Sequence, residues 1–114
     1  MRPLAEVREQ WHGEVPVGAI HGEIDASNVA EVGVALRGLV SNQSTVLVID
    51  LSGTTYLDSA GINLLFALHD ELRSRQLTLR LVIAPATSIS RMLTITGLDR
   101  VCPSYATLAE AVSA

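Results

Sequence analysis

The chain has 114 residues, enough for one domain with its own core; 48% of them are hydrophobic and only 4% are aromatic. The formal net charge of −4, without any cluster of basic residues, argues against a nucleic-acid interface, which needs a basic patch. Cys102 is the only cysteine, which excludes an intramolecular disulfide and a thiolate-cluster metal site, and we expect it to be buried and inert.

The first fifteen residues carry charges of both signs and have no apolar core of the kind found in a signal peptide. No run of about 18 apolar residues occurs elsewhere, so nothing indicates membrane insertion. We therefore expect a single cytoplasmic domain over residues 1–114.

The N-terminal pattern predicts two strands, over residues 4–10 and 14–21, joined at Gly13 as a hairpin. The stretch 22–25 should end the second strand. Asp25 or Ser27 can then cap a helix, whose apolar face consists of Val29, Val32, Leu36, Leu39 and Val40.

Residues 46–51 form an aliphatic run typical of a central parallel strand that is covered on both faces. An amphipathic helix follows, which should begin after Asp58 as its N-cap and end near Arg75. Polar residues and glycines are concentrated between these two elements, and we expect the functional site there.

The remaining chain predicts a buried strand over 77–83, then a helix with Pro85 in its first turn and Gly97 after its last residue. A short strand over 100–102 and a helix over 107–112 complete the pattern. Helices alternating with strands predict an α/β fold, with an N-terminal β-hairpin, a mostly parallel sheet of four to five strands and about four helices.

Enzyme chemistry finds little support in the residues around Ser59. A nucleophile elbow needs glycines two residues before and two after the serine, but Leu57 occupies the first position. His69 lies ten residues further along the same helix, about 15 Å away, so it cannot serve as the base.

Phosphate and metal sites are also poorly supported. Residues 51–55 contain one glycine and no Gly-Lys-Ser/Thr, so they form no Walker A loop. Asp25, Asp50 and Asp58 lie near strand ends, where three acids can bind Mg²⁺, but helix capping explains Asp25 and Asp58 better. We expect no enzyme activity, cofactor or metal.

Two short motifs stand out: Gly22-Glu23-Ile24-Asp25 and, after a helix and an apolar strand, Leu57-Asp58-Ser59-Ala60-Gly61-Ile62. Together with Thr96-Gly97-Leu98, they resemble the STAS domain family. The resemblance extends from the second strand to Asp99. This family includes bacterial anti-sigma factor antagonists and the cytoplasmic tails of sulfate transporters.

The resemblance implies an anti-sigma factor antagonist that docks on an anti-sigma factor with a serine-kinase fold and so frees a sigma factor. The alternative it implies is an accessory subunit that docks on the ATPase of a lipid-transport ABC system. The expected partner-binding residues are Glu23, Asp25, Thr55, Tyr56, Asp58, Ser59, Ala60 and Gly61.

One residue departs from the family pattern. In the family, the kinase phosphorylates the second hydroxyl residue of Asp-Ser-Ser/Thr-Gly, and that position is Ala60 here. Ser59 is then the remaining phosphorylation candidate. Either Ser59 has become the acceptor, or the antagonist does not respond to phosphorylation, or the domain has the transporter role.

Overall fold

The computed structural model describes residues 4–114. Its strands are β1 (Ala5–His12), β2 (Val15–Ile24), β3 (Val46–Asp50), β4 (Thr54–Leu57), β5 (Thr78–Val82) and β6 (Ser104–Tyr105). Its helices are α1 (Val29–Arg37), α2 (Ser59–Ser74), α3 (Ser88–Thr96), α4 (Leu98–Val101) and α5 (Leu108–Ser113).

The strands form one mixed sheet in the order β1-β2-β3-β5-β6, with β4 pairing to β2. The predicted hairpin is confirmed, because β1 runs antiparallel to β2 around Gly13, which has a positive φ of 64°. Every other pairing is parallel, as the alternation of strands and helices predicts.

The central strand β3 is buried on both faces of the sheet, which confirms the prediction from its aliphatic run. Leu47 and Ile49 join the larger core cluster, together with the buried residues of α1 and α2. Val46 and Val48 point to a smaller cluster that α5 closes with Ala111.

Three local predictions were wrong. The stretch 22–25 does not end β2, which continues to Ile24. The short strand predicted over 100–102 is instead part of the helix α4 and the turn after it, and the last strand is Ser104–Tyr105. Pro85 precedes α3 rather than lying in its first turn, because Thr87 is the N-cap and its Oγ1 accepts a hydrogen bond from the Ser90 N–H.

The sheet also contains one strand that the sequence did not predict. Thr54–Leu57, between the aliphatic strand and the helix α2, form β4 and pair with the end of β2. The sheet therefore has six strands and, with α4, five helices are described within residues 4–114. No helix in this range combines the length and apolar character that a bilayer-spanning segment needs.

We expect the packing of the smaller core cluster, on the second face of the sheet, to depend on α5. Ala111 is fully buried in the cluster with Val17, Val48 and Val82, whereas Ala109 on the same helix is exposed. Ala111→Asp should lower the free energy of unfolding by about 3 kcal/mol or more, because it buries an unpaired carboxylate. Ala109→Asp should change it by less than about 0.5 kcal/mol. Urea denaturation measures both, and equal losses would contradict this packing.

Candidate functional site

The pairing of β4 with β2 brings the two motif loops together. Glu23 lies beside Tyr56 and Ile24 beside Leu57 in the parallel register. The Asp58 N–H then donates to the Ile24 carbonyl at 3.3 Å, which joins the first residue after β4 to the last residue of β2. The loop after β2 and the N-terminus of α2 therefore form one continuous surface at the same end of the sheet.

Asp58 is the N-cap of α2, as predicted. Its Oδ1 accepts hydrogen bonds from the N–H groups of Ala60 at 2.9 Å and Gly61 at 3.2 Å. These groups lack partners within the helix, so the carboxylate satisfies them and complements the positive end of the helix dipole.

Neither Asp25 nor Ser27 caps α1 with its side chain, which corrects the sequence prediction. The Asp25 carboxylate bonds to Ser27 instead. Its Oδ1 accepts from the Ser27 N–H at 2.8 Å and from the Ser27 hydroxyl, closing an Asx turn before the helix. The N-cap position belongs to Asn28, whose side chain makes no capping bond. Instead, Asn28 accepts from the Asp25 N–H at 2.9 Å and donates to the Glu23 carbonyl at 2.8 Å.

Asn28 is thus the organising residue of the loop after β2, and sequence reasoning missed it. The available signal was its residue type, because asparagine side chains commonly bond to nearby backbone groups in turns. Its two bonds hold the backbone on both sides of Ile24, and Ser27 holds the Asp25 carboxylate.

Gly61 contributes to this surface by close packing rather than by exposure. It is buried, and a Cβ at this position would collide with the Leu57 side chain and lie 3.2 Å from Ile24 Cγ2. The absence of a side chain therefore allows the first turn of α2 to approach β2 and β4.

The other predicted residues present polar and aromatic groups to solvent. Glu23, Thr55 and Ser59 are exposed, Tyr56 is 47% exposed, and Ala60 is half-buried. The side chain of Ser59 makes no hydrogen bond to any residue within 4–114. Glu23, Asp25 and Asp58 make the surface acidic, with an aromatic ring beside the carboxylates.

The remaining candidates for chemistry do not converge on Ser59. His69 lies ten residues along α2 from it, an axial separation of about 15 Å. Within the described residues, no group of three or more His, Cys, Asp or Glu side chains is arranged to hold a metal ion. Cys102 is buried, as predicted, and burial raises the pKa of its thiol to about 11, with a smaller contribution from the charge of Asp70.

Comparison with known proteins agrees with the motif resemblance. A family model described as "Mlab, STAS domain" matches residues 7–108. The Anti-sigma-F factor antagonist RsfB of Mycobacterium tuberculosis is 32% identical over 102 residues, covering 90% of this chain and 82% of that protein. The Anti-sigma-B factor antagonist of Listeria monocytogenes is 33% identical over 94 residues, covering 82% and 81%.

A solved structure of similar architecture comes from Mycobacterium paratuberculosis and is described as an anti-sigma factor antagonist. It superimposes with a TM-score of 0.85 at 29% sequence identity, covering 96% of this chain and 92% of that one. The mixed sheet and helix arrangement described above is therefore the fold of this group of proteins.

We expect Asp25 to titrate below the ordinary value of 3.8, because hydrogen bonds from the hydroxyl and then the N–H of Ser27 lower its pKa. The stability that Asp25 adds is complete above the ordinary value and is lost as the pH falls through the lowered folded-state pKa. Ser27→Ala should move the pKa of Asp25 back towards 3.8, and Thr55→Ala should leave it unchanged. Carboxyl ¹³C NMR titration measures both, and an identical Asp25 pKa in wild type and Ser27→Ala would contradict the assignment.

Proposed function

Because this chain belongs to the STAS domain family, we propose that it is an anti-sigma factor antagonist that docks on an anti-sigma factor through its acidic loop surface. The acidic loop surface is defined by Glu23, Asp25, Thr55, Tyr56, Asp58, Ser59 and Ala60. The relatives named antagonists support this function, since they match most of their own length and most of this chain.

The observation that carries the proposal is the joining of two loops through β2 and β4. The β4 pairing and the hydrogen bonds of the two loops hold their backbone and the carboxylates of Asp25 and Asp58 in fixed positions. Such a surface loses little conformational entropy on binding, which favours affinity. Gly61 belongs to the supporting layer because it is buried.

Charge and shape indicate the kind of partner surface that fits. Three carboxylates within this small area favour a basic surface on the partner, and Tyr56 offers an aromatic anchor of the type that dominates many interfaces. We propose that this partner is an anti-sigma factor with a serine-kinase fold. We place the protein in the cytoplasm and assign it no enzymatic activity, since sigma regulation requires only binding.

The primary experiment is affinity capture from native lysate with partners identified by mass spectrometry, followed by titration of the purified partner. Tyr56→Ala should weaken binding at least about tenfold, because the ring is a large contact group on the proposed surface. Trp11→Ala is the matched control: its ring is 48% exposed against 47% for Tyr56, but it lies in β1 opposite Pro16 near the hairpin.

Asp58 provides a second variant for the same titration. Asp58→Asn keeps a side-chain oxygen for the cap and removes the charge, so affinity should fall while stability stays close to wild type. Asp58→Ala should also remove about 1 kcal/mol of stability, the usual loss for an N-cap. Unchanged affinity in Tyr56→Ala and Asp58→Asn would place docking elsewhere.

We further propose that this antagonist has lost phosphorylation control, because Ala60 occupies the usual acceptor position. A phosphate adds about −1.5 to −2 charge. On this surface the phosphate would lie beside the carboxylate of Asp58, and docking would have to remove water from this added charge, which lowers the affinity. Without an acceptor, binding depends only on the amounts of the two proteins.

Ala60→Ser tests this directly. With the captured kinase and ATP, the variant should gain one phosphate and lose affinity, whereas the wild type and Ser59→Ala should remain unmodified and bound. Intact-mass measurement and peptide mapping give the position. Phosphate on Ser59 of the wild type would overturn the loss of control and identify a shifted acceptor, while leaving the docking proposal in place.

Ala60 also favours a second candidate, since docking on a transporter ATPase needs no phosphoacceptor. In that case, the chain would be an accessory subunit of a lipid-transport ABC system. The capture experiment separates the two: a membrane-associated ATPase in place of a kinase-fold protein would support the accessory role and contradict the antagonist function.

A further inference from the structure

β1 is the outermost strand of the sheet on one side, and its outer edge is open. The strand covers eight residues, Ala5–His12, and within residues 4–114 it pairs with β2 alone. An open edge of this length presents unpaired backbone groups and is a template for pairing with another strand. We name the outer side of Ala5–His12 the β1 edge.

The hydrogen bonds at the start of β1 show which backbone groups lie along the β1 edge. The Leu4 carbonyl accepts from the Glu23 N–H at 3.0 Å, so Leu4 directs its backbone groups towards β2. Gly22 donates to the Gly53 carbonyl at 3.1 Å, on the side of β2 away from β1. Because this direction alternates along an antiparallel strand, the outward groups belong to four residues of β1. They are Ala5, Val7, Glu9 and Trp11.

A second copy of this chain fits the β1 edge because the charges of the strand are self-complementary. Glu6 and Arg8 lie on one face of the strand, and their side chains are 57% and 60% exposed. If two copies pair antiparallel about a twofold axis at Val7, Glu6 of each copy lies directly opposite Arg8 of the other. The outward groups of Ala5, Val7 and Glu9 then face those of the second copy and form about six hydrogen bonds between copies.

Other registers of the same pairing bring like charges together. The outward backbone groups must face one another, so the register changes only in steps of two residues. One step in either direction places Arg8 opposite Arg8 or Glu6 opposite Glu6, and a further step places Glu9 opposite Glu9. Charges commonly protect an edge strand through such repulsion. The register centred on Val7 replaces this repulsion with two pairs of opposite charges.

We propose that the β1 edge is a self-association surface, on which a second copy pairs antiparallel with Val7 at the twofold axis and two Glu6–Arg8 ion pairs between the copies. The backbone hydrogen bonds provide the attraction, while the exposed ion pairs, each of small energy, select the register. The β2 strands of the two copies run in opposite directions. The two acidic loop surfaces therefore lie at opposite ends of the shared sheet, where each is open to its own partner.

Sedimentation equilibrium of the purified chain tests the proposal. An edge-to-edge interface is small, so the measurement extends to roughly 0.5 mM protein. The mean mass should rise with concentration from that of one chain, 12.2 kDa, towards twice this value. Over the same range, amide hydrogen exchange should become slower at Val7 and Glu9, whose N–H groups point outwards, and stay unchanged at Glu6 and Arg8, whose N–H groups point to β2.

Charge reversal tests the register. Arg8→Glu and Glu6→Arg each place two like-charge pairs across the twofold axis, so each should weaken self-association at least about tenfold. An equimolar mixture of the two variants restores two pairs of opposite charge and should form dimers again. Arg91→Glu is the matched control, because it makes the same charge change at an exposed position of α3 and should associate as the wild type does.

Amide spectra of the dilute variants check that each remains folded, as expected for substitutions of exposed side chains. Three results overturn the proposal: a wild-type chain that stays monomeric throughout this range, single variants that associate as the wild type does, or a mixture that stays monomeric. Because the readout is self-association of the purified chain, none of these results depends on docking to an anti-sigma factor.

Discussion

The site depends on a single register choice, the parallel pairing of β4 with the last residues of β2. β3 pairs with the same edge of β2 as β4 does, at Val17–Ala19, and the chain then leaves the sheet. After a short turn the chain returns to β2 further along, from Gly22 to Ile24. This pairing satisfies the backbone N–H and C=O groups at this end of β2 within the sheet. A loop at the same place would leave these groups to bond with water.

A second constraint is the close approach of helices to strands. Without a side chain at Gly61, the first turn of α2 packs on Leu57 and Ile24, so the cap of the helix lies directly above the end of β2. Gly33 has the same effect between α1 and α2. Glycine costs roughly 0.5–1 kcal/mol relative to alanine within a helix. At Gly61 a Cβ would collide with the buried Leu57 side chain, whereas at Gly33 the nearest atoms are the ends of the Arg37 and Leu64 side chains.

The sequence predicted most accurately the elements that have a long hydrophobic pattern or a residue with one clear local role. The aliphatic run of β3, the stripe of α2 and the cap at Asp58 all agree with the structure. Gly97 also stands after the last residue of α3 with a φ of 80°, the left-handed conformation typical of this position.

The errors have physical causes in short elements. β4 has four residues, and its central Thr55 and Tyr56 are exposed, so it shows no hydrophobic pattern, and only its pairing with β2 makes it a strand. α4 also has four residues and is held by the buried Leu98. Asp25 suits a cap or an Asx turn equally well, and the bonds of Asn28 decide between them.

Position 60 of the motif lies in the first turn of α2, next to the cap. The cap consists of the carboxylate of Asp58 and the backbone N–H groups of Ala60 and Gly61. It therefore does not depend on the side chain at position 60. Alanine in place of serine at this position exchanges a hydroxyl for a hydrogen atom and therefore leaves the cap unchanged. A phosphate at that position would compete with Asp58 for the same donors and increase the negative charge nearby. With alanine at position 60, the proposed docking surface carries no hydroxyl at this position to which a phosphate could be added.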